Sequence, residues 1–404
     1  MRFDEVTTPV TAWSDTQITT VVPATTATGP ISVFEFQQGV QARGFASSPG
    51  TGAWQVSPAA QAYDLFWKPL EPLLRGKTRV YLSPDGVLNQ MPLGLVVAPD
   101  GKLLMEKYDL RLLSSTKDLL REDAPSKNNT AVLVGNPTFD LSETQQRAAL
   151  QKLAAPPQPK PEQVAALEPS SRSRDQARDK SVDNKLPLLP GTGAEVQAVS
   201  NLLQQQHWQL ATYTADHALE EVVKQARSPR LFHLATHGFF LSDQQIKTDK
   251  LRNENASGLE DPMLRSGLYF AGADRALAGQ QVSSDLDDGV LTAYEAAGLN
   301  LQDTELVVLS ACNTGQGDVK NGEGVFGLRR ALQEAGAQAV MMSLWSVPDK
   351  ETQELMTLFY SNWLGGMEKH EALRRAQLKM RDTVKQRYGR DLPYYWGAFV
   401  LVGR

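Results

Sequence analysis

The chain has 404 residues, of which 41% are hydrophobic and 22% are charged, and its formal net charge is −5. This length is enough for two domains of ordinary size, and the acidic balance argues against general nucleic-acid binding, which usually needs a basic excess. The sequence has neither an apolar run of membrane-spanning length nor a secretory signal pattern. One cysteine excludes an internal disulfide and fits a reducing compartment, so we expect a cytoplasmic protein.

The first 130 residues contain no cysteine and no histidine, so we expect a structural or regulatory role for them. Residues 1–45 are rich in Thr, Val and Pro and predict a β-rich segment. Within it, the stretch Trp13–Val33 resembles the later strands of an immunoglobulin-like IPT/TIG repeat; a β-rich extension that pairs with the main body is the alternative. Residues 46–130 form a second segment, with a linker, an amphipathic helix over 60–74 and a strand over 79–83.

Residues 131–404 alternate between apolar strands and amphipathic helices, which indicates an α/β fold with a mostly parallel sheet. Six strands are predicted, near positions 131, 209, 231, 305, 338 and 397. Between the first two, residues 141–185 combine prolines, mixed charges and low hydrophobicity, so we predict a disordered insertion. After it, Thr192 and Glu195 have the spacing of a capping box, which predicts a helix from there to about Gln206.

Two of the predicted strands end in chemically useful residues. The apolar run Leu306–Leu309 leads to Cys312 and a glycine-rich loop, and the run Leu231–Thr236 leads to His237 and Gly238. Neighbouring parallel strands bring their carboxyl ends to the same edge of a sheet. A thiol needs a nearby base to become a nucleophile, so the two strand ends offer a nucleophile and a base. The amides of Gly238 and Cys312 would then hold an oxyanion.

Each of these residues also has a plainer interpretation. A lone cysteine at a strand end is usually a small buried hydrophobe. His233 lies inside its strand and is interpreted as a packed or hydrogen-bonded core histidine. Asp349 either caps the helix that follows Pro348 or lies at the base of a specificity pocket. No Cys/His set has the spacing of a zinc site, and the glycine-rich loop lacks the lysine of a P-loop.

The motifs together resemble those of the CHAT family, a group of bacterial caspase-like domains related to separases. The resemblance extends from about residue 60 to the C-terminus and rests on His233-Leu-Ala-Thr-His-Gly238, Asp261-Pro-Met-Leu-Arg-Ser-Gly-Leu268, Leu309-Ser-Ala-Cys-Asn-Thr-Gly315, Gly322-Glu-Gly-Val-Phe-Gly-Leu328, Ser343-Leu-Trp-Ser-Val-Pro-Asp349 and Tyr394-Tyr-Trp-Gly-Ala-Phe-Val400. It implies a caspase-like three-layer sandwich with a six-stranded sheet over 131–404, preceded by a pseudo-caspase half over 46–130.

By this resemblance, His237 is the catalytic histidine and Cys312 the nucleophile. Separases carry a related Leu-Trp-x-Val-x-Asp segment whose aspartate receives the substrate arginine, and Asp349 occupies that place here. The expected function is therefore a cysteine endopeptidase that cleaves proteins after Arg or Lys and is controlled by a regulatory protein or an upstream sensor domain. The alternative is a catalytically silent signalling or scaffold module of the same fold.

The expected substrate is a protein bound as an extended strand. It would pair with the segment that contains Ser343, Trp345 and Ser346, because pairing by strand addition needs only backbone groups and side-chain pockets. This chemistry requires no metal and no organic cofactor, and we expect neither nucleic acid nor a membrane as a partner.

Overall fold

In the computed structural model, the chain divides into two compact units. The first contains Met1–Val80 and Met91–Leu110, and the second contains Tyr81–Gln90 and Arg111–Arg404. The structure describes residues 62–84, 88–89, 91–120, 128–154, 185–240, 261–311 and 327–403, together with the backbone of six short strands elsewhere.

The strands are listed here in chain order. They are β1 (Arg2–Phe3), β2 (Val6–Thr7), β3 (Val10–Trp13), β4 (Ile18–Thr20), β5 (Arg79–Leu82), β6 (Asp109–Leu112), β7 (Thr130–Pro137), β8 (Gln209–Ala215), β9 (Leu231–Ala235), β10 (Gly238–Phe240), β11 (Ser266–Tyr269), β12 (Val290–Thr292), β13 (Leu306–Leu309), β14 (Asp318–Lys320), β15 (Gly324–Phe326), β16 (Ala339–Ser343) and β17 (Phe399–Gly403).

The α-helices follow the same numbering. They are α1 (Leu104–Lys107), α2 (Glu143–Ala154), α3 (Pro190–Gln205), α4 (Glu220–Lys224), α5 (Ala273–Leu277), α6 (Ala293–Ala296), α7 (Leu328–Glu334), α8 (Asp349–Leu364) and α9 (Lys369–Tyr388). Within the described residues, no helix is both long and apolar enough to cross a membrane.

The first unit contains two small hairpins, β1 with β2 and β3 with β4. The predicted helix over 60–74 is instead a π-helical turn, Tyr63–Trp67, followed by a 3-10 turn, Glu71–Leu73. Pro72 explains the break, because a proline cannot donate the hydrogen bond that would continue a helix. Trp67 is 2% exposed and its ring lies 5.2 Å from that of Tyr108, so this small unit has its own apolar contact.

The main sheet has eight strands in the order β5-β6-β17-β16-β13-β9-β7-β8. The pairs from β16 through β13, β9 and β7 to β8 are parallel, whereas β17 runs antiparallel to β16. The α/β class and the mostly parallel sheet are therefore confirmed. The six strands predicted after residue 131 are β7, β8, β9, β13, β16 and β17, which stand next to one another.

Strands β9, β13 and β16 form the centre of the sheet, and every residue in them is buried. Both faces of a parallel sheet are covered in α/β folds, so its strands read as continuous apolar runs rather than alternating ones. Each buried Leu or Val contributes roughly 1.5–3 kcal/mol relative to an exposed one. The burial of these three strands fixes the position of their carboxyl ends.

A second, antiparallel sheet of three strands, β10-β11-β12, begins where β9 ends. Only Thr236 and His237 separate β9 from β10. The chain thus leaves the main sheet and enters the small one within two residues, and His237 lies in that connection.

Helix α3 does not begin with the predicted capping box. Its N-cap residue is Leu189, which provides no side-chain cap. The hydroxyl of Thr192 donates to the carbonyl of Leu189 at 2.8 Å and accepts from the amide of Asn136 at 2.8 Å. Glu195 is only 2% exposed, and its carboxylate accepts a hydrogen bond from the hydroxyl of Ser310, which follows strand β13. The prediction was wrong because tertiary contacts, rather than local capping, use both side chains.

The prediction of disorder over 141–185 is wrong for the first part of that segment, residues 141–154. Leu141 is fully buried, and residues Glu143–Ala154 form helix α2. Gln146 is also fully buried, and its amide donates to Glu221 at 2.7 Å. These contacts hold the first part of the segment in place, which its low hydrophobicity did not indicate. Residues 155–184 lie outside the described part of the chain, and the boundaries at 45 and 130 stay predictions.

Candidate active site

A pocket lies at the carboxyl ends of the three central strands of the second unit. Its walls come from the ends of β9, β13 and β16 and from the first turns of α3 and α8. The lining residues are Leu189, Gly191, Thr192, Glu195, Thr236, His237, Ser310, Ala311, Ser343, Val347, Asp349, Thr352 and Phe399. Three residues singled out from the sequence, His237, Ser343 and Asp349, are therefore brought together.

His237 is partly buried and held by a backbone group. Its Nε2 lies 2.8 Å from the carbonyl oxygen of Pro187, and its ring lies 5.2 Å from that of Phe139. A carbonyl oxygen can only accept, so Nε2 carries the proton and Nδ1 is left as the basic nitrogen of a neutral ring. Burial lowers the pKa of His237 from its ordinary value of 6.5, and the Pro187 carbonyl only partly opposes this. The imidazole is therefore neutral at pH 7.

Pro187 was missed at the sequence level. It contributes a main-chain oxygen, which any residue could supply, so no residue type or spacing marks the position. Its effect is to fix one ring nitrogen as the donor and orient the ring, the task that a carboxylate performs in other histidine-dependent sites.

Cys312 lies outside the described residues, but the strand that leads to it is described. Leu309 of β13 is registered with Leu234 of β9, and the amide of Ser310 donates to the carbonyl of Leu234 at 2.9 Å. The carbonyl of Ala311 accepts a hydrogen bond from the Ser343 hydroxyl at 2.6 Å. Parallel pairing thus continues up to the residues just before Cys312.

Gly238 is the first residue of β10, and its partner across the ladder is Leu268. The amide of Tyr269 donates to the carbonyl of His237 at 2.9 Å. This hydrogen bond joins the residues on either side of the facing pair Gly238 and Leu268. In an antiparallel ladder, such a facing pair exchanges no backbone hydrogen bonds of its own. The amide of Gly238 is therefore not used by the ladder with β11.

Asp349 is the first residue of α8, and the N-cap residue is Pro348, which makes no side-chain cap. The Asp349 carboxylate instead accepts a hydrogen bond from the backbone of Gly191. A Cβ atom at Gly191 would collide with the side chain of Asp349, so only glycine permits this approach. Partial burial raises the pKa of Asp349, and the nearby charge of Glu195 raises it further. Although Asp349 is an exposed residue overall, its carboxyl group faces the pocket.

The predicted substrate-binding segment is partly used by the protein itself. Ser343 pairs with Phe399 of β17, and the amide of Leu344 donates to Ala398 at 2.9 Å. Trp345 is 8% exposed and its Nε1–H donates to the carbonyl of Tyr394 at 3.0 Å. Ser343 lines the pocket, whereas Trp345 and Ser346 do not belong to its lining. Their role in substrate binding stays a prediction.

Below the pocket lies a buried polar network that the sequence did not reveal. His233 is fully buried, and its Nδ1 lies 2.9 Å from the Tyr360 hydroxyl. Its Nε2 lies 3.1 Å from Oε1 of Glu195. The other oxygen of Glu195, Oε2, accepts from the Ser310 hydroxyl at 2.9 Å. The interpretation of His233 as a core histidine agrees with these contacts, but its partners come from sequence-distant helices.

A second group of acidic residues, Asp285, Asp287 and Asp288, lies in the segment before β12. None of its members lines the pocket. Asp285 forms an ion pair with Arg147, and Asp287 lies 2.9 Å from the ammonium of Lys224. Among the side chains that the structure describes, no group of three His, Cys, Asp or Glu residues is arranged to hold a metal ion.

Comparisons with known proteins place the chain in a family. It is 33% identical over 132 residues to Tetratricopeptide repeat protein 28 of Homo sapiens, which covers 32% of this chain and 5% of that protein. Among solved structures, it is similar to the Arg-specific cysteine proteinase gingipain R (TM-score 0.45, 10% identity, 83% of this chain and 65% of the other). It is also similar to a chain of the separase–securin complex of Saccharomyces cerevisiae (TM-score 0.37, 11% identity, 80% and 15%).

The chain thus spans only a small part of the curated protein that it matches, and less than two thirds of the length of either solved chain. The CHAT domain model, by contrast, matches residues 56–404, which is most of the sequence. This range contains both His237 and Cys312 and the whole described part of the main sheet. The chain belongs to the CHAT domain family.

Proposed function

We propose that the chain is a cysteine endopeptidase that cleaves protein substrates after Arg or Lys, with Cys312 as nucleophile and His237 as general acid and base. The observation that carries the proposal is the hydrogen bond from Nε2 of His237 to the carbonyl of Pro187. It leaves a neutral ring with a basic Nδ1 beside the strand end that leads to Cys312. A histidine that only packed in the core would need no such exposure to a pocket.

The register of the two strands supports the pairing of His237 with Cys312. Leu234 and Leu309 face each other in parallel strands. His237 follows Leu234 by three residues, and Cys312 follows Leu309 by the same number. Because each residue lies three positions beyond a facing pair of parallel strands, the two are favoured to be neighbours at one edge of the sheet.

In the proposed reaction, Nδ1 of His237 accepts the thiol proton and the sulfur of Cys312 bonds to the scissile carbonyl carbon. When the tetrahedral adduct collapses, the C–N bond breaks and Nδ1 returns the proton to the leaving amine. A water molecule then attacks the thioester and gives a proton to Nδ1. The second collapse releases the acid product, and the proton returns to the sulfur.

The developing oxyanion would be held by backbone amides. The amide of Gly238 suits this task because the ladder with β11 leaves it unused. The amide of Cys312 is the second proposed donor. Fixed backbone dipoles of this kind need no reorganisation during the reaction, and the loss of one donor costs roughly 3–4 kcal/mol of transition-state stabilisation.

The preference for a basic side chain follows from the charge of the pocket. Among the described residues, its lining contains Asp349 and Glu195 but no Lys or Arg. A carboxylate that is partly shielded from water pairs strongly with a guanidinium, and bidentate geometry adds direction.

Regulation by a partner protein or signal is part of the same proposal, because the matched segment of Tetratricopeptide repeat protein 28 belongs to a far longer chain.

An active-site-directed probe tests the proposal. A peptidyl acyloxymethyl ketone with arginine next to the reactive group should add one label to the wild-type protein, measured by intact mass. Cys312→Ala should not be labelled, and His237→Ala should be labelled far more slowly. Equal labelling or equal peptide cleavage by Cys312→Ala would refute the assignment and favour the silent scaffold.

A further inference from the structure

One residue of the pocket lining, Glu195, is a buried carboxylate. It lies one turn into helix α3 and is 2% exposed, yet it belongs to the pocket lining together with His237 and Asp349. Ionised side chains are almost never this buried unless they are paired. Glu195 therefore needs an explanation that local helix capping does not provide.

The two oxygens of Glu195 are used differently. Oε2 accepts the hydroxyl hydrogen of Ser310 at 2.9 Å. Oε1 lies 3.1 Å from Nε2 of His233 but without the alignment of a hydrogen bond, and no described residue donates to it. A buried carboxylate oxygen without a donor is costly, and this one belongs to a residue of the pocket lining.

Asp349, the first residue of α8, lines the same pocket. Within the described residues, its carboxylate has the backbone of Gly191 as a hydrogen-bond donor and forms no ion pair with a Lys or Arg side chain. The charge of Glu195 raises the pKa of Asp349, and both residues belong to the lining of the same pocket.

We propose that Glu195 is a second specificity-determining carboxylate, which acts with Asp349 to bind the cationic side chain of the substrate. The proposal deepens the proposed function, because it assigns a further residue to the basic pocket. The incoming cation would supply the donor that Oε1 lacks and would relieve the repulsion between the two acids.

Two carboxylates that line one pocket favour arginine over lysine. A guanidinium presents five N–H donors in a rigid plane and can engage two acceptors at once, whereas an ammonium is a compact point charge. Glu195 should therefore contribute more to the recognition of Arg than of Lys. An arginine substrate would also be discriminated strongly from citrulline, which has nearly the same shape but no charge.

The test compares peptide substrates that differ only in arginine or citrulline at the cleaved position. The ratio of their kcat/KM values should fall roughly tenfold or more in Glu195→Gln, because one charge-assisted interaction is lost. Gln keeps the size and can still accept from Ser310. If Gln disturbs folding, Glu195→Met is the second variant, since buried charges are often replaced by apolar residues of similar volume without loss of stability.

Two controls separate specificity from positioning. Glu351→Gln removes another carboxylate that is 2% exposed, but one outside the pocket, where Arg387 and Tyr388 bind it. In Glu351→Gln, the ratio of kcat/KM for the arginine substrate to that for the citrulline substrate should stay within about twofold of wild type. Ser310→Ala removes the hydrogen bond to Glu195 but keeps the charge, so the ratio should also be kept. A loss in Ser310→Ala equal to that in Glu195→Gln would overturn the proposal, as would an unchanged ratio in Glu195→Gln.

A binding measurement distinguishes this inference from the proposed function. In the Cys312→Ala background, calorimetry with peptide amides that end in arginine or citrulline needs no turnover. The arginine peptide should bind more strongly than the citrulline peptide, and Glu195→Gln should reduce this difference. That result supports the role of Glu195 in binding the cation even if the wild-type protein cleaves nothing and the peptidase assignment fails. Equal binding of the two peptides overturns the role of Glu195, whatever the activity of Cys312.

Discussion

Two groups of acidic side chains in the second unit are arranged in opposite ways. In the first, the ammonium of Lys224 lies 2.6 Å from Glu220, 2.9 Å from Asp287 and 2.9 Å from Glu295. In the second, the pocket pair Asp349 and Glu195, no described Lys or Arg forms an ion pair with either acid. We call these the lysine-bound cluster and the pocket pair.

The difference indicates which acids stabilise the fold and which are kept for a ligand. The lysine-bound cluster contains its own cation, Lys224, which forms an ion pair with each of its three acids before anything binds. The pocket pair lines the same pocket as His237, and no described Lys or Arg forms an ion pair with it. Perturbed acids in a cleft are typical of functional sites, whereas paired acids are typical of structural ones. The predictions below test whether this distinction is correct.

The largest effect is expected from removing the nucleophile, because every step of the proposed reaction depends on it. Cys312→Ala should lower kcat/KM by about a thousandfold or more. The melting temperature should hardly change, since one small side chain replaces another. Peptide hydrolysis by purified protein, with thermal unfolding of the same sample, checks both. Cleavage near the wild-type rate would contradict the assignment.

The next effect concerns Asp349. Asp349→Asn should lower cleavage after Arg by roughly tenfold to a hundredfold, because a charge-assisted pair worth about 1.5–3 kcal/mol is lost. Stability should be nearly unchanged, as the N-cap position belongs to Pro348. Urea unfolding alongside the kinetics separates the two effects. A variant that melts normally and still cleaves after Arg at full rate would exclude Asp349 as the specificity residue.

The lysine-bound cluster should behave in the opposite way. Lys224→Met should reduce the free energy of unfolding by roughly 2–4 kcal/mol, because Glu220 is 1% exposed and would be left without its cation. The preference for arginine over citrulline should not change. Lys379→Met, at an exposed position of α9, is the matched control and should cost less than about 0.5 kcal/mol. A change of substrate preference in Lys224→Met would remove the distinction between the two groups.

The sequence predicted the parts of this arrangement that depend on local pattern. Apolar runs predicted the central strands, and the residues at their ends included His237. Asp349 was found through a motif. The same local reasoning misassigned Glu195, because the Thr-x-x-Glu spacing fits a capping box as well as a buried acid. It also missed Pro187, whose contribution is a backbone carbonyl without a side-chain signal.

Long-range partners explain the rest of what the sequence could not show. The ammonium of Lys224 meets Asp287, which is 63 positions away, and Glu195 meets Ser310 at a separation of 115. Only the packing of helices against strand ends brings such residues together. Whether an acidic side chain has a Lys or Arg partner is therefore decided by the fold. The sequence alone does not distinguish the two groups of acids.

The smallest effect, and the most specific, is a dependence on pH. The pKa of His237 is lowered by burial, so the ring stays neutral to a lower pH than an ordinary histidine of pKa 6.5. In the window between its folded pKa and 6.5, the unfolded chain binds more protons, and the contribution of His237 to stability falls as the pH falls. The acid limb of peptide hydrolysis should accordingly lie below pH 6.5.

The pKa of Asp349 is shifted in the opposite direction, upward, by burial and by Glu195. Protonation of this acid removes the charge that binds the substrate cation. The ratio of arginine to citrulline cleavage should therefore fall severalfold on acidification, and it should do so at a pH above the ordinary 3.8 of an aspartic acid. Because both substrates use His237, its titration cancels in the ratio. The ratio in Asp349→Asn should vary much less with pH, and a dependence as steep as that of wild type would assign the titration to another group.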